Sequence, residues 1–190
     1  KVSKVSIVPR GLAALGYTLN TPEENKYLMQ RHELIAEVDV LLGGRAAEEV
    51  FIGEISTGAA NDLERTTDIL KAMVQMYGMS DVAGLMVLEK QRNTFLGGGM
   101  TQGREYSDRM AEGMDSFIKD TLQERYIAVK SRLEEYRGAI ESIVELLYAK
   151  ENITGEQVRE IIAAYEAEHN IETKLEPRKE FGSNETVISD

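Results

Sequence analysis

The chain has 190 residues, enough for one large domain or a domain with a tail, and enough to bury a core. Its 22 basic and 33 acidic residues leave a net charge of −11, which speaks against a phosphate backbone as partner, so no nucleic acid is expected. It has no cysteine, which rules out disulfides, a thiolate zinc site and a cysteine nucleophile.

In chain order, Val2, Val5, Ile7 and Val8 are β-branched and end at the turn Pro9-Arg10-Gly11, so a strand is expected there. Leu15-Gly16-Tyr17-Thr18-Leu19 is a second strand, and the two suggest a small hairpin. Thr21-Pro22-Glu23-Glu24 carries a helix start signal, with a possible restart near Gln30. From Leu34 to Val50 the apolar residues fall at helical spacing, across a Gly43-Gly44 pair of the kind usually kept for close packing or a bend. The next helix follows Asp62, with Leu63, Thr66, Ile69, Leu70, Met73, Val74 and Tyr77 on one broad face and Gly78 as its stop. Leu85 to Leu88 and Phe95-Leu96 are short apolar stretches suited to minor strands, and Gly97 to Gly103 is a Gly-rich loop. A long helix starts at Ser107, with Gly138 as its expected break, and another apolar face runs from Ile140 to Leu147. Thr154-Gly155-Glu156-Gln157 is a capping box for a last helix. The expected fold is mainly α: a helical bundle with a small N-terminal β element over residues 1–169, then a polar, disordered tail over 170–190. No apolar run approaches the ~18 residues that span a bilayer. The first residue is Lys1, not Met, as in a segment of a longer protein.

The chain has two histidines, His32 and His169. His32-Glu33-Leu34-Ile35-Ala36 begins like HExxH, but Ala36 stands where the second imidazole would have to be. His32 therefore reads as a surface helix residue, and His169 as a charge at a helix end. Neither a G-x-S-x-G nucleophile turn nor a phosphate-binding G-x-x-x-x-G-K-[S/T] loop is present. The run Ser56-Thr57-Gly58-Ala59-Ala60-Asn61-Asp62-Leu63 is a polar turn that opens a helix. An Asp in a first helical turn is most often simply a favourable charge, but it is also held rigidly enough to serve as a hard oxygen ligand.

Several runs, in order and spacing, resemble the FtsH family of membrane-anchored ATP-dependent zinc proteases. They are Lys4-Val5-Ser6-Ile7-Val8-Pro9-Arg10-Gly11, Leu15-Gly16-Tyr17-Thr18, Leu41-Leu42-Gly43-Gly44-Arg45-Ala46-Ala47-Glu48-Glu49, Ser56 to Leu63, and Gly78-Met79-Ser80-Asp81. The resemblance implies that Asp62 is the third protein ligand of a catalytic zinc. It implies that Glu48 lies near the zinc histidines and orients an imidazole. It also implies that Val5, Ser6, Ile7 and Val8 form an active-site edge strand able to pair with an extended substrate.

The family's HExxH helix would fall before Lys1, and the ATPase domain with its ATP and Mg, and the membrane segments, further upstream. The implied whole protein is a homo-hexamer that degrades unfolded or membrane proteins, at the cytoplasmic face of a bacterial inner membrane or at an organellar inner membrane. The chain by itself, without HExxH, is expected to be inactive. The rival expectation is a non-enzymatic helical scaffold, or a pseudoprotease that lost its motif.

Overall fold

The computed structural model describes residues 2–9, 16–21, 28–88 and 106–171. Pro22-Glu23-Glu24, Phe95-Leu96, the Gly97–Gly103 loop and the tail beyond residue 171 lie outside the described residues. The described residues are mostly helical, with one three-stranded antiparallel sheet, as the apolar periodicity implies. The chain divides into two compact units: Glu23–Arg137, and Lys1–Pro22 together with Gly138–Asp190.

The unit Glu23–Arg137 holds three long helices, α1 (Arg31–Ala47), α2 (Ala60–Gln75) and α3 (Asp108–Glu135). α1 starts at the later of the two expected places, where the Gln30 N–H donates to Glu33 Oε2 at 2.8 Å. α3 begins at Ser107, whose hydroxyl accepts from the Met110 N–H at 3.3 Å. Such side chains satisfy amides that have no partner inside the helix. The apolar stripes meet in one core of Leu34, Val38 and Leu42 from α1 with Leu70 and Met73 from α2, against which Ile118, Leu122, Tyr126 and Val129 of α3 pack. Val74, Ala83 and Met114 form a second cluster. At the border of this core, Arg125 of α3 grips Asp39 of α1 with two hydrogen bonds, 2.8 and 2.6 Å. This forked geometry fixes register better than a single contact would.

α1 runs straight through Gly43 and Gly44, and nothing lies within 4 Å of where their Cβ atoms would be. The close packing expected of that pair is absent among the described residues. The helix instead widens into a π-helical turn, Glu48–Ile52, closed by the Gly53 N–H on the Glu48 carbonyl at 3.1 Å. Gly53 then reverses the chain at φ +81°, a conformation that a Cβ disfavours. Leu85 to Leu88 form no strand; an isolated bridge joins Ser80 and Gly84, and the Leu88 N–H donates to the Gln75 carbonyl at 2.8 Å.

The other unit holds β1 (Val2–Ser6), β2 (Tyr17–Asn20) and β3 (Asn152–Thr154), with α4 (Arg137–Lys150) and α5 (Gly155–His169). The helix break comes at Tyr136, not at Gly138, which sits in the first turn of α4. A Cβ on Gly138 would lie 2.8 Å from the Tyr165 ring, so its role there is close packing. The strand order is β2-β1-β3, so Val5 and Ser6 lie in the middle strand, while Ile7 and Val8 follow it and are exposed. Val5 pairs with Thr18 on one side and Ile153 on the other, and Ser6 with Tyr17 and Asn152. Ile7 follows the strand and donates its N–H to the Glu151 carbonyl at 3.0 Å, while the Val8 N–H is bound to Ser6 Oγ at 3.2 Å.

α5 opens with the expected capping box: the Gln157 N–H donates to Thr154 Oγ1, and the Thr154 N–H to Gln157 Oε1. Its first residue, Gly155, lies so close to β1 that a Cβ would collide with the Val2 carbonyl oxygen. Arg159 donates to the same oxygen at 3.2 Å. Gly155→Ala is therefore expected to lower unfolding stability by about 1–3 kcal/mol, the usual range for overpacking. Urea unfolding of the two proteins measures it, and an unchanged midpoint would contradict this packing.

Candidate active site

The residues singled out by the sequence gather around the turn between α1 and α2. The π-helical turn ends α1, Gly53 reverses the chain, and Ser56 caps a short 3₁₀ turn, Thr57–Ala59, that runs directly into α2. Asp62 lies in the first turn of α2, where the helix dipole favours a carboxylate. It is half-buried. Its carbonyl oxygen accepts from Thr66 Oγ1 at 2.6 Å, so the backbone that carries it is tied to the next turn.

Glu48 does not stand free as a solvated acid. Its Oε2 accepts the Ser56 N–H at 3.0 Å and its Oε1 the Ser56 hydroxyl at 2.5 Å. Ser56 Oγ in turn accepts from the Gly58 N–H at 3.1 Å, and the Ser56 carbonyl accepts from Arg45 Nη1 at 3.0 Å. The donors of Ser56 hold the Glu48 carboxyl below its ordinary value of 4.5, the hydroxyl first, then the amide, with the Arg45 charge adding to them.

Glu49, the next residue, faces α3. Its Oε2 accepts from the Tyr126 hydroxyl and its Oε1 from Lys130 Nζ, both at 2.5 Å. Lys130 and then Tyr126 hold this carboxyl low as well. The Tyr126 phenol is pushed up to about 12, first by burial and then by the Glu49 carboxylate it binds. Arg137 donates to the Val50 carbonyl at 3.3 Å and lies 4.7 Å from the centre of the Phe51 ring. The π-helical turn is thus gripped from several sides.

Beside this cluster runs an open, mainly apolar groove of about 600 Å³, lined by Leu42, Ile55, Leu63, Ile118, Leu122 and Tyr126. From α2 the groove is lined by Leu63, Thr67 and Lys71, which share one face of that helix.

His32 is exposed near the start of α1, as a surface helix residue should be. His169 is exposed at the end of α5, stacked on Tyr165 with ring centres 4.0 Å apart. No group of three or more potential metal ligands exists among the described residues. The structure thus brings Glu48 to the turn that leads into Asp62, and places Val5, Ser6, Ile7 and Val8 in the other unit. Sequence reading missed Ser56 as the partner of Glu48, and Tyr126 and Lys130 as the partners of Glu49. The available signal was the spacing of Tyr126 and Lys130, four apart on one helix face.

The sequence matches the profile of Peptidase family M41 over residues 1–161. The chain belongs to that family. It is 70% identical over 183 residues to the ATP-dependent zinc metalloprotease FtsH of Helicobacter felis, an alignment that covers 96% of this chain and 29% of the relative. The protein of the same name from Sulfurovum sp. is 58% identical over 185 residues, covering 97% of this chain and 27% of the relative. That from Thermotoga maritima is 44% identical over 163 residues, covering 85% and 27%. The chain thus spans less than a third of the length of these relatives.

The phenol of Tyr126 gives the cluster a measurable signature. Its folded pKa of about 12 lies above the ordinary 10.0, so the stability it contributes is complete below pH 10 and is lost as pH rises towards 12. In an ultraviolet titration a late tyrosine ionisation is expected, and Tyr126→Phe should remove that step. A titration curve unchanged by Tyr126→Phe at high pH would contradict the Glu49–Tyr126 contact.

Proposed function

We propose that this chain is part of the peptidase domain of an ATP-dependent zinc metalloendopeptidase, and that Asp62 is one of the zinc ligands. The observation that carries the reading is a half-buried carboxylate on a rigid first helical turn, with no side-chain partner among the described residues, in a chain of Peptidase family M41. A carboxylate oxygen is a normal zinc donor, so Asp62 fits the group as one ligand of a set. Two imidazoles must complete that set, and the HExxH sequence that supplies them in our reading lies upstream of Lys1, together with the glutamate that takes a proton from water. The zinc supplies Lewis-acid activation of water and polarises the peptide carbonyl.

In this reading the chain's own residues hold and orient. Asp62 presents its carboxylate from the start of α2, and Glu48 belongs to the surrounding shell of hydrogen bonds. Substrates are unfolded or membrane proteins, fed by an upstream ATPase domain that uses ATP and Mg, in a homo-hexamer. The intact protein is membrane-anchored through upstream segments and works at the cytoplasmic face of a bacterial inner membrane. No helix among the described residues is long and apolar enough to cross a membrane. The 190 residues alone do not cleave, because the set of ligands is incomplete.

In the full-length protein, Asp62→Asn should abolish cleavage of an unfolded protein such as casein, while ATP hydrolysis stays near the level of the unaltered enzyme. Casein degradation and phosphate release, assayed side by side, test this. Undiminished degradation by the variant would reject Asp62 as a ligand.

A further inference from the structure

We propose that the groove between α1, α2 and α3 binds a free long-chain fatty acid, with the carboxylate at Lys71 and Lys119 and the alkyl chain along the apolar floor. All of the lining residues belong to the unit Glu23–Arg137. Asp62 does not line the groove, so this site and the zinc reading stand or fall separately.

The groove has two unlike ends. Val74 of α2 and Met114 of α3 share a buried cluster, which brings Lys71 and Asp115 to the same end. Lys119 lies one turn on from Asp115. Both lysines are exposed and have no ion-pair partner among the described residues. Asp115 offsets one of the two charges, so this end stays net positive on a chain whose net charge is −11. At the other end, Glu49 is bound to Tyr126 and Lys130, and Arg45 to the Ser56 carbonyl, so the polar groups there already have partners. Leu42 and Leu122 line the groove between the ends, while Ile55 and Leu63 at the far end stay 56% and 38% exposed.

An anionic amphiphile matches both ends. A carboxylate gains from the two unpaired ammonium groups, and an alkyl chain gains from leaving water along the floor. The α2 helix rises about 12 Å from Leu63 to Lys71, and α3 about 16 Å from Asp115 to Tyr126, so the groove is long enough for an extended chain. A peptide in the same place would bring N–H and C=O groups that each need a partner. Thr67 and Gln123 are the neutral polar side chains of the lining apart from Tyr126, and Thr67 already donates to the Leu63 carbonyl at 2.9 Å. An alkyl chain makes no such demand, and the lysines select against a cationic head.

The test uses dodecanoate, octanoate and dodecyltrimethylammonium against the unaltered protein, Leu63→Ala and the double variant Lys71→Gln with Lys119→Gln. Calorimetric titration of the 190-residue chain, with its helix content checked by circular dichroism, gives the dissociation constants below micelle-forming concentrations. A diazirine-bearing dodecanoate, photolysed with the full-length protein in its native membrane, gives the site through mass spectrometry of the labelled peptides. Dodecanoate should bind once per chain, and octanoate roughly 30–200-fold more weakly, because it buries fewer methylenes. The double lysine variant should lose roughly 3–30-fold in affinity for dodecanoate, as expected for two exposed charge contacts, with unchanged helix content. Leu63→Ala should weaken dodecanoate more than octanoate. In the full-length protein the label should fall on peptides of α2 and α3, and excess dodecanoate should displace it. Dodecyltrimethylammonium binding as tightly as dodecanoate overturns the proposal, as does a double lysine variant that binds like the unaltered protein, since either marks unspecific adhesion to an apolar surface. Binding to the 190-residue chain with no label in α2 or α3 of the full-length protein also overturns it, because another segment of the intact protein, such as an amphipathic helix, then fills the groove. Should the short chain fail to fold, displacement of the label by the three compounds in the full-length protein and its variants decides alone, and the absence of saturable labelling rejects the site.

Discussion

One carboxylate, Glu48, joins the end of α1 to the start of α2 by accepting both donors of Ser56. The two helices share a core, but core packing alone does not set the position of a loop between them. Dispersion contacts are weak and non-directional, whereas a carboxylate that accepts two hydrogen bonds admits few orientations. The apolar residues Leu34, Val38, Leu42, Leu70 and Met73 bring α1 and α2 together, and the Glu48–Ser56 hydrogen bonds tie the end of α1 to the turn before α2. The widened turn Glu48–Ile52 serves the same end, because it places two adjacent acids so that one meets the loop and the other meets α3.

The surroundings of this turn are polar in a consistent way. Arg45, Lys130 and Arg137 each bond to a carbonyl or a carboxylate of the segment from Glu48 to Ser56. These groups are partly exposed, so no single pair contributes much to stability by itself. Their joint effect is geometric. They restrict a segment that would otherwise be held only by its ends, and Arg45 and Glu49 also line the groove beside it.

The fold was legible where the signal is local. The Ser107 cap, the Thr154–Gln157 capping box and the apolar stripes of α1 and α2 all follow from residues three or four apart. What escaped was distant or small. β3 is three residues long, and its pairing with Lys4, Val5 and Ser6 joins segments far apart in sequence, which no local pattern announces. The break at Tyr136 was assigned to Gly138 because glycine is a poor helix former, while close contact with Tyr165 is what that glycine serves. At the candidate site, the helix start gave Asp62 a rigid place, and the family resemblance gave it a role. The resemblance gave Glu48 a place near an imidazole but not its partner Ser56, which is brought to it by the reversal at Gly53.

The account stands or falls on whether this fold carries one zinc when its missing ligands are restored. Elemental analysis of the 190-residue chain and of a version extended upstream through the HExxH sequence to the ATPase domain measures this directly. The account predicts about one zinc per extended chain and none on the short one, as expected for a site of three protein ligands with only one present. Zinc on neither would contradict it and leave the domain as a helical scaffold without metal chemistry.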